Sequence, residues 1–305
     1  MTVDTSTRVA SVSLPNPVMT ASGTAGYGAE LGAYVDLASL GAVVVKSLSA
    51  EPWQGNPAPR VHETVAGMLN SVGLHNGGVA AWLDVHLPEL RRRGARVVAS
   101  IWGFTIADYE HAAFLLADAG PEVVAVEVNL SCPNLGASHQ PFAHSASDTA
   151  AVIAATAGCR RPRWAKLSPN VTDITAIAGA ALDAGAEAVT LVNTVMGMAV
   201  DPGRRRVRLG GRSGGLSGPA IHPVAVRAVF DCRAAFPSAG IVGVGGVARA
   251  VDAIELLEAG ADAVQVGTAT FADPRAAAHV LAGMRRWCAD ANIARVADLI
   301  GAAHA

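Results

Sequence analysis

The run Asn129-Leu130-Ser131-Cys132-Pro133-Asn134 sets a thiol between two carboxamides at the end of an apolar stretch. The preceding Val123-Val124-Ala125-Val126-Glu127-Val128 is β-branched and nearly free of charge, as in a strand buried in a parallel sheet. Pro133 cannot donate to a sheet ladder, so the strand should end before it and leave Cys132 on a loop. Each Asn offers donors and an acceptor, so the segment suits proton movement on a planar polar ligand. An inert, buried Cys132 is the alternative, because most free cysteines behave as small apolar side chains.

Two other positions stand out by rarity. Of the 23 basic side chains only Lys46 and Lys166 are lysines. Each ends an apolar run, Ala42-Val43-Val44-Val45-Lys46 and Arg163-Trp164-Ala165-Lys166. Lysine is a compact point charge on a flexible stem, and the wide guanidinium fork of arginine cannot replace it everywhere. A role in chemistry is therefore expected for both. Glycine pairs mark a third feature: Gly243-Val244-Gly245-Gly246-Val247 and Val266-Gly267-Thr268 end two further apolar runs. Glycines there let backbone N–H groups approach an anion closely, and phosphate is the anion expected.

The elements that must position these residues alternate along the chain. Strands are expected near residues 17–21, 42–47, 97–101, 123–129, 163–167, 188–193, 240–245 and 263–267. Helical patterns fall near 30–40, 79–93, 107–119, 147–156, 172–184, 222–236, 249–258 and 274–288. Ala184-Gly185 and Ala259-Gly260 close two of these helices as C-cap glycines do. Eight strand–helix repeats predict an α/β fold, a TIM (β/α)8 barrel of one domain spanning residues 1–305, with function on the loops that follow the strands. A doubly wound open sheet is the alternative, weakened because no Gly-x-Gly-x-x-Gly follows the first strand. Long loops are expected after strands 2, 4 and 6. Residues 51–76 and 195–219 are rich in turn formers, and loops of such length in a compact fold are usually binding loops or lids.

Composition excludes several classes. The 305 residues carry a formal net charge of −2 and are 51% hydrophobic. A nucleic-acid surface is not expected, and Arg91-Arg92-Arg93 and Arg204-Arg205-Arg206 read as solvated clusters. No apolar run is long enough to span a membrane, and no signal peptide is evident, so a cytoplasmic protein is expected. Cys132, Cys159, Cys232 and Cys288 lack metal or iron–sulfur spacing, so no metal site is expected.

Several motifs together carry a family likeness. Met68-Leu69-Asn70-Ser71-Val72-Gly73-Leu74, the Asn129–Asn134 run, Lys166-Leu167-Ser168-Pro169-Asn170, Val192-Asn193-Thr194, Gly214-Gly215-Leu216-Ser217-Gly218-Pro219-Ala220 and Gly243-Val244-Gly245-Gly246 occur in order. In this order they resemble the class 1 dihydroorotate dehydrogenases, over nearly the whole chain from Leu14 to Arg275. The stretches 168–174 and 193–198 look most like class 1B. The resemblance implies oxidation of dihydroorotate to orotate in pyrimidine synthesis, with one FMN per chain. It also implies a homodimer and a partner subunit carrying FAD and a 2Fe-2S cluster that passes electrons to NAD.

Carried over by resemblance, Cys132 is the base, and its activity should rise with pH near an ordinary thiol value of about 8.5 unless neighbours shift it. Lys46 lies between flavin and substrate carboxylate, with the anion pocket completed by Asn70, Ser71, Val72, Gly73 and Leu74. Asn129, Asn134, Asn193 and Thr194 join Asn70 on the polar edge of the substrate. Ser22, Lys46, Ser47, Ser100, Asn129, Lys166, Val192, Gly218, Gly245, Gly246, Gly267 and Thr268 hold the FMN, with Lys166 placing positive charge near its pyrimidine end. Three places depart from the family pattern: Ser100 replaces the usual Asn, His75 replaces Gln, and the segment with His139 and His144 is unusual. The two latter histidines are expected on the loop surface. The departures leave room for an FMN enzyme of another dihydropyrimidine or a specialised-metabolism substrate. A flavin-free barrel with a Schiff-base lysine is a third possibility, distinguished by a colourless protein trapped by borohydride.

Overall fold

Eight short runs of small and β-branched residues become parallel strands: β1 (Val18–Thr20), β2 (Val43–Val44), β3 (Val97–Ile101), β4 (Val123–Asn129), β5 (Arg163–Lys166), β6 (Ala188–Leu191), β7 (Gly240–Val244) and β8 (Ala263–Val266). The computed structural model describes residues 2–132 and 140–305, so Asn134 and His139 lie outside the described residues. Neighbouring strands pair in parallel in the order β1-β8-β7-β6-β5-β4-β3-β2. The ring closes where Met19 bridges Ala42 and Gly41 N donates to the Val18 carbonyl at 2.8 Å. This is a TIM barrel, and all eight expected strands are present.

Inward side chains alternate along each strand and stack in layers. At the base, Met19, Val44, Val98, Ala125, Trp164, Ala188, Val242 and Ala263 form an apolar layer sealed by Val9, Val12 and Leu14 of an antiparallel hairpin. Two residues further along three of those strands the inward positions turn polar, at Ser100, Glu127 and Gln265, all fully buried. The next step along β4 and β8 reaches Asn129 and Gly267 at the barrel mouth. The interior therefore changes from hydrocarbon to hydrogen-bonding groups toward the C-terminal strand ends.

Helices cover the outside at the expected places, with one exception. Residues 30–40 form two 3-10 segments, Ala29–Ala33 and Leu37–Ser39, not an α-helix. Gly32 weakens helix propensity there, and Asp36 caps the N–H of Ala38, starting a new turn inside the stretch. In the next helix, the π-wound Trp82–His86 segment stands just before Pro88, whose ring crowds the carbonyl four residues earlier. Gly185 and Gly260 take φ of +96° and +117° and end their helices as expected.

The two longest excursions are not irregular loops. They pair with each other as a four-stranded antiparallel sheet, in the order Val195–Gly197, Gly214–Ser217, Gly67–Asn70, Val61–Thr64. Arg204 and Arg205 lie in the turn of a separate hairpin, Val200–Asp201 with Arg206–Val207, Arg206 opens its second strand, and all three side chains are exposed. His75 is exposed, with Nδ1 at 3.1 Å from the Gln54 carbonyl, as a solvated loop residue should be. His144 differs from its surface expectation: it is half-buried, and its Nε2 is shielded from solvent and has no hydrogen-bond partner among the described residues.

Candidate active site

The cap sheet and the strand ends enclose a cavity of about 410 Å³. Ser22, Lys46, Ser47, Asn129, Lys166, Val192, Asn193 and Thr194 line it from the barrel, and Asn70, Ser71, Val72, Gly73 and Leu74 from the cap. Gly218, Gly245, Gly246, Gly267 and Thr268 complete the wall. Nearly every residue singled out by sequence is thus brought to one place. Among the described residues, two are not at the wall. Ser100 lies one layer below, 2.9 Å from the Ser47 hydroxyl, and Cys132 turns toward the core.

A hydrogen-bond chain crosses the floor. Asn193 Nδ2 donates to Asn129 Oδ1 at 3.0 Å, and Asn129 Nδ2 donates to Ser47 Oγ at 3.4 Å. Asn193 Oδ1 in turn accepts from the Thr194 N–H at 2.8 Å. The carboxamides are therefore oriented by one another before any ligand arrives. On the cap side, Asn70 Nδ2 donates to the Gly215 carbonyl at 3.3 Å. Gly215 has to lack a side chain, because a Cβ there would stand 2.0 Å from Thr194 Oγ1. The segment from Ser71 to Leu74 is pinned by Asn56, whose Nδ2 donates to Ser71 Oγ at 2.9 Å, and by Trp53, whose indole N–H donates to the Gly73 carbonyl at 3.0 Å. Leu74 is held at φ +65°, a conformation that costs an L-residue about 1–2 kcal/mol, so the fold stores strain in the cavity wall.

The glycine wall is a cradle that side chains would fill. Gly218, Gly245 and Gly246 have φ of +95°, +146° and +71°. A Cβ on Gly245 would lie 2.7 Å from Ala225 Cβ, and one on Gly246 would lie 2.6 Å from His222 Cβ. Thr268 Oγ1 donates to Ser217 Oγ at 2.8 Å, adding hydroxyls beside the glycines. Backbone N–H groups and hydroxyls without bulk suit a phosphate, at the place where barrels usually hold one.

The two lysines differ in their surroundings. Lys46 is half-buried; its backbone N–H donates to the Gly26 carbonyl at 2.9 Å, but its ammonium makes no hydrogen bond or ion pair among the described residues. Burial pulls its ammonium below the usual lysine range; the Cys132 thiol opposes this and the Lys166 charge adds to it. Lys166 is saturated instead: Nζ reaches Glu127 Oε1 at 3.3 Å, Gln265 Oε1 at 3.2 Å and Ser22 Oγ at 3.2 Å. Among the described residues, one lysine is therefore an unpartnered cation lining the cavity, and the other is a compensated one.

Cys132 is 1% exposed and its Sγ donates to the Asn129 carbonyl at 3.5 Å. The same carbonyl accepts from the buried Tyr109 hydroxyl at 2.7 Å. Burial pushes the thiol up to about 12, opposed by Tyr109 and then by the Lys46 charge. In this packing the thiol keeps its proton far above the ordinary thiol range, and its neighbour Ser131 lines the cavity in its place. Among the described residues no group of three or more His, Cys, Asp or Glu side chains is arranged to hold a metal ion.

The dihydroorotate dehydrogenase family model matches residues 5–287. The chain belongs to that family. Full-length relatives agree in kind: the dihydroorotate dehydrogenase B (NAD(+)) catalytic subunit of Trichlorobacter lovleyi is 47% identical over 298 residues, covering 97% of each chain. The protein of the same description from Desulforudis audaxviator is 48% identical over 305 residues, covering 100% of this chain and 99% of its own. That of Geobacter sulfurreducens is 45% identical over 300 residues, covering 98% of each.

Sequence reasoning passed over Glu127, Gln265 and Tyr109. A signal for the first two was available: a lone carboxylate and a lone carboxamide in strands otherwise buried on both faces must have partners. Tyr109 gave none, because an aromatic on a helix is ordinarily core.

Proposed function

We propose that this chain is an FMN-dependent dehydrogenase that oxidises dihydroorotate to orotate in pyrimidine synthesis, and that it is the catalytic subunit of a class 1B assembly. The observation that supports this best is the Lys46 ammonium, without a partner among the described residues, in one cavity with the ordered Asn129–Asn193 carboxamides and the glycine cradle. Dihydroorotate offers a carboxylate and an imide edge to match the first two, and a flavin phosphate matches the third. Bound FMN would accept the hydride.

The chain's own groups would divide the remaining work. Gly218, Gly245, Gly246, Gly267 and Thr268 would hold the phosphate, with Ser22, Ser47, Lys166 and Val192 along the ring and Ser100 supporting Ser47 from below. Lys46, with the Ser71–Leu74 segment, would neutralise the substrate carboxylate. Asn70, Asn129, Asn193 and Thr194 would orient the ring, together with Asn134. Cys132 would take the proton next to the carbonyl; for that its Sγ has to leave the Asn129 carbonyl and turn to the cavity, which also relieves the burial that raises its pKa.

The assembly would be a cytoplasmic homodimer of single-domain chains spanning residues 1–305. All four cysteines are buried and apart, so the FAD and 2Fe-2S cluster would belong to the partner subunit that hands electrons to NAD. No helix among the described residues is long and apolar enough to cross a membrane.

Anaerobic mixing of the yellow protein with dihydroorotate tests the proposal: the flavin absorbance should bleach, and dihydrouracil, which lacks the carboxylate, should leave it unchanged. Cys132→Ala should retain FMN yet lose bleaching by a factor of at least about 100, the usual contribution of a positioned base. Full-rate bleaching in that variant excludes Cys132 as the base. A colourless protein excludes the flavin.

A further inference from the structure

Behind Lys166, inside the barrel below the cavity floor, lie a carboxylate and a carboxamide that the proposed reaction does not use. Glu127 and Gln265 are fully buried and Lys166 is 4% exposed. Glu127 Oε1 pairs with Lys166 Nζ at 3.3 Å, and its Oε2 accepts from Gln265 Nε2 at 2.7 Å. Gln265 Oε1 accepts from Lys166 Nζ at 3.2 Å, closing a triangle across β4, β5 and β8. Lys166 lines the cavity, whereas Glu127 and Gln265 do not. The positive end of the pair therefore faces the ligand and the negative end lies behind it.

Packing alone does not call for this triangle. One step down the same strands, Ala125, Trp164 and Ala263 fill the barrel with hydrocarbon. Burying a carboxylate and an ammonium costs several kcal/mol per ion before their attraction is counted, and apolar replacements of such pairs are often neutral or stabilising. The three protons of Lys166 Nζ are matched by three acceptors, counting Ser22 Oγ at 3.2 Å, so the ammonium is fixed in place. It acts on the cavity through its field, and Glu127 subtracts from that field.

We propose that Glu127 is a positioning residue of the flavin site, which aims Lys166 and offsets its charge, so that the pair sets the cofactor's reduction potential; this rests on the FMN reading above. Gln265 anchors the carboxylate from the side opposite Lys166. Removing the carboxylate leaves an uncompensated cation that favours the reduced, anionic flavin. Removing the ammonium does the opposite. Removing both restores near-neutrality.

The test is a double-mutant cycle read as the two-electron potential of bound FMN, by spectroelectrochemistry on the full-length protein. Glu127→Gln should raise the potential by about 30 mV or more, the equivalent of a tenfold change for a two-electron couple. Lys166→Gln should lower it, and the double variant should return close to the wild type. Should Glu127→Gln leave too much unpaired charge to fold, the comparison of Lys166→Gln with the double variant carries the same sign: the double must lie higher. A folded, yellow Glu127→Gln protein with the wild-type potential overturns the inference, as does a double variant no higher than Lys166→Gln. A wild type that takes up no FMN overturns the functional reading and the inference together, and it is seen before any variant is made.

Discussion

Lys46 and Lys166 look alike in the sequence, each ending an apolar run, yet their environments make them different reagents. Lys46 lines the cavity with an ammonium that has no partner among the described residues, so in the proposed function it would neutralise the anionic substrate. Losing a charge-assisted hydrogen bond costs about 1.5–3 kcal/mol, so Lys46→Gln should raise the KM for dihydroorotate by roughly tenfold to a hundredfold. Steady-state kinetics with FMN occupancy measured in parallel checks this; an unchanged KM assigns the carboxylate to another group. The pH dependence has a definite sign. Burial lowers the Lys46 pKa, so its charge is present at low pH and is lost as pH rises through a value below the usual lysine range. Substrate affinity should therefore weaken at an alkaline pH where an ordinary lysine would still be charged. At Cys132 the ordinary thiol value expected from sequence does not hold, because burial in the core moves the group to about 12.

At the scale of elements, the cavity is a product of two structures. The barrel supplies the floor, and the antiparallel cap supplies Asn70 and the Ser71–Leu74 wall. The cap exists because two excursions more than a hundred residues apart pair through Asn70 with Gly215 and Leu69 with Leu216. The loops after β7 and β8 contribute glycine backbone and, among side chains, the Thr268 hydroxyl. Gly246 sits at φ +71° with His222 Cβ 2.6 Å from where a Cβ would stand. Gly246→Ala has to meet a left-handed penalty of about 1–2 kcal/mol and displace the cradle, so FMN affinity should fall at least about tenfold. Fluorescence titration of the apoprotein with FMN measures it, and affinity within twofold of wild type would remove Gly246 from the phosphate site.

For the whole molecule, the four buried thiols link stability to pH. Burial raises all four, with Cys132 and Cys232 pushed up to about 12. The folded chain therefore holds protons that the unfolded chain releases above about pH 9. Their contribution is fully present below that value and is lost as pH rises toward 12. Stability should fall by up to about 1.4 kcal/mol per pH unit for each fully shifted thiol. Urea unfolding between pH 8 and 11 tests this, and Cys232→Ala should flatten the slope; a slope that is unchanged in that variant assigns the loss to other groups.

Much of this molecule was legible in its residues. Buried β-branched runs, C-cap glycines and their regular alternation determined a barrel, because strand burial and helix termination are local properties of composition and backbone freedom. The strand-end residues Lys46, Asn129, Lys166, Asn193, Gly245 and Gly267 could be named for the same reason: in a barrel, the end of a strand is also the mouth. Residues 30–40 depart from their helical pattern because Asp36 and Gly32 outweigh it locally. Other features depended on partners distant in the chain. Glu127 and Gln265 lie 39 and 99 residues from Lys166, and only closure of the barrel brings them within hydrogen-bonding distance of it. Which lysine is free, which way Cys132 turns, and how two excursions become one sheet were decided by tertiary structure, because charge compensation, burial and strand pairing are properties of neighbours in space.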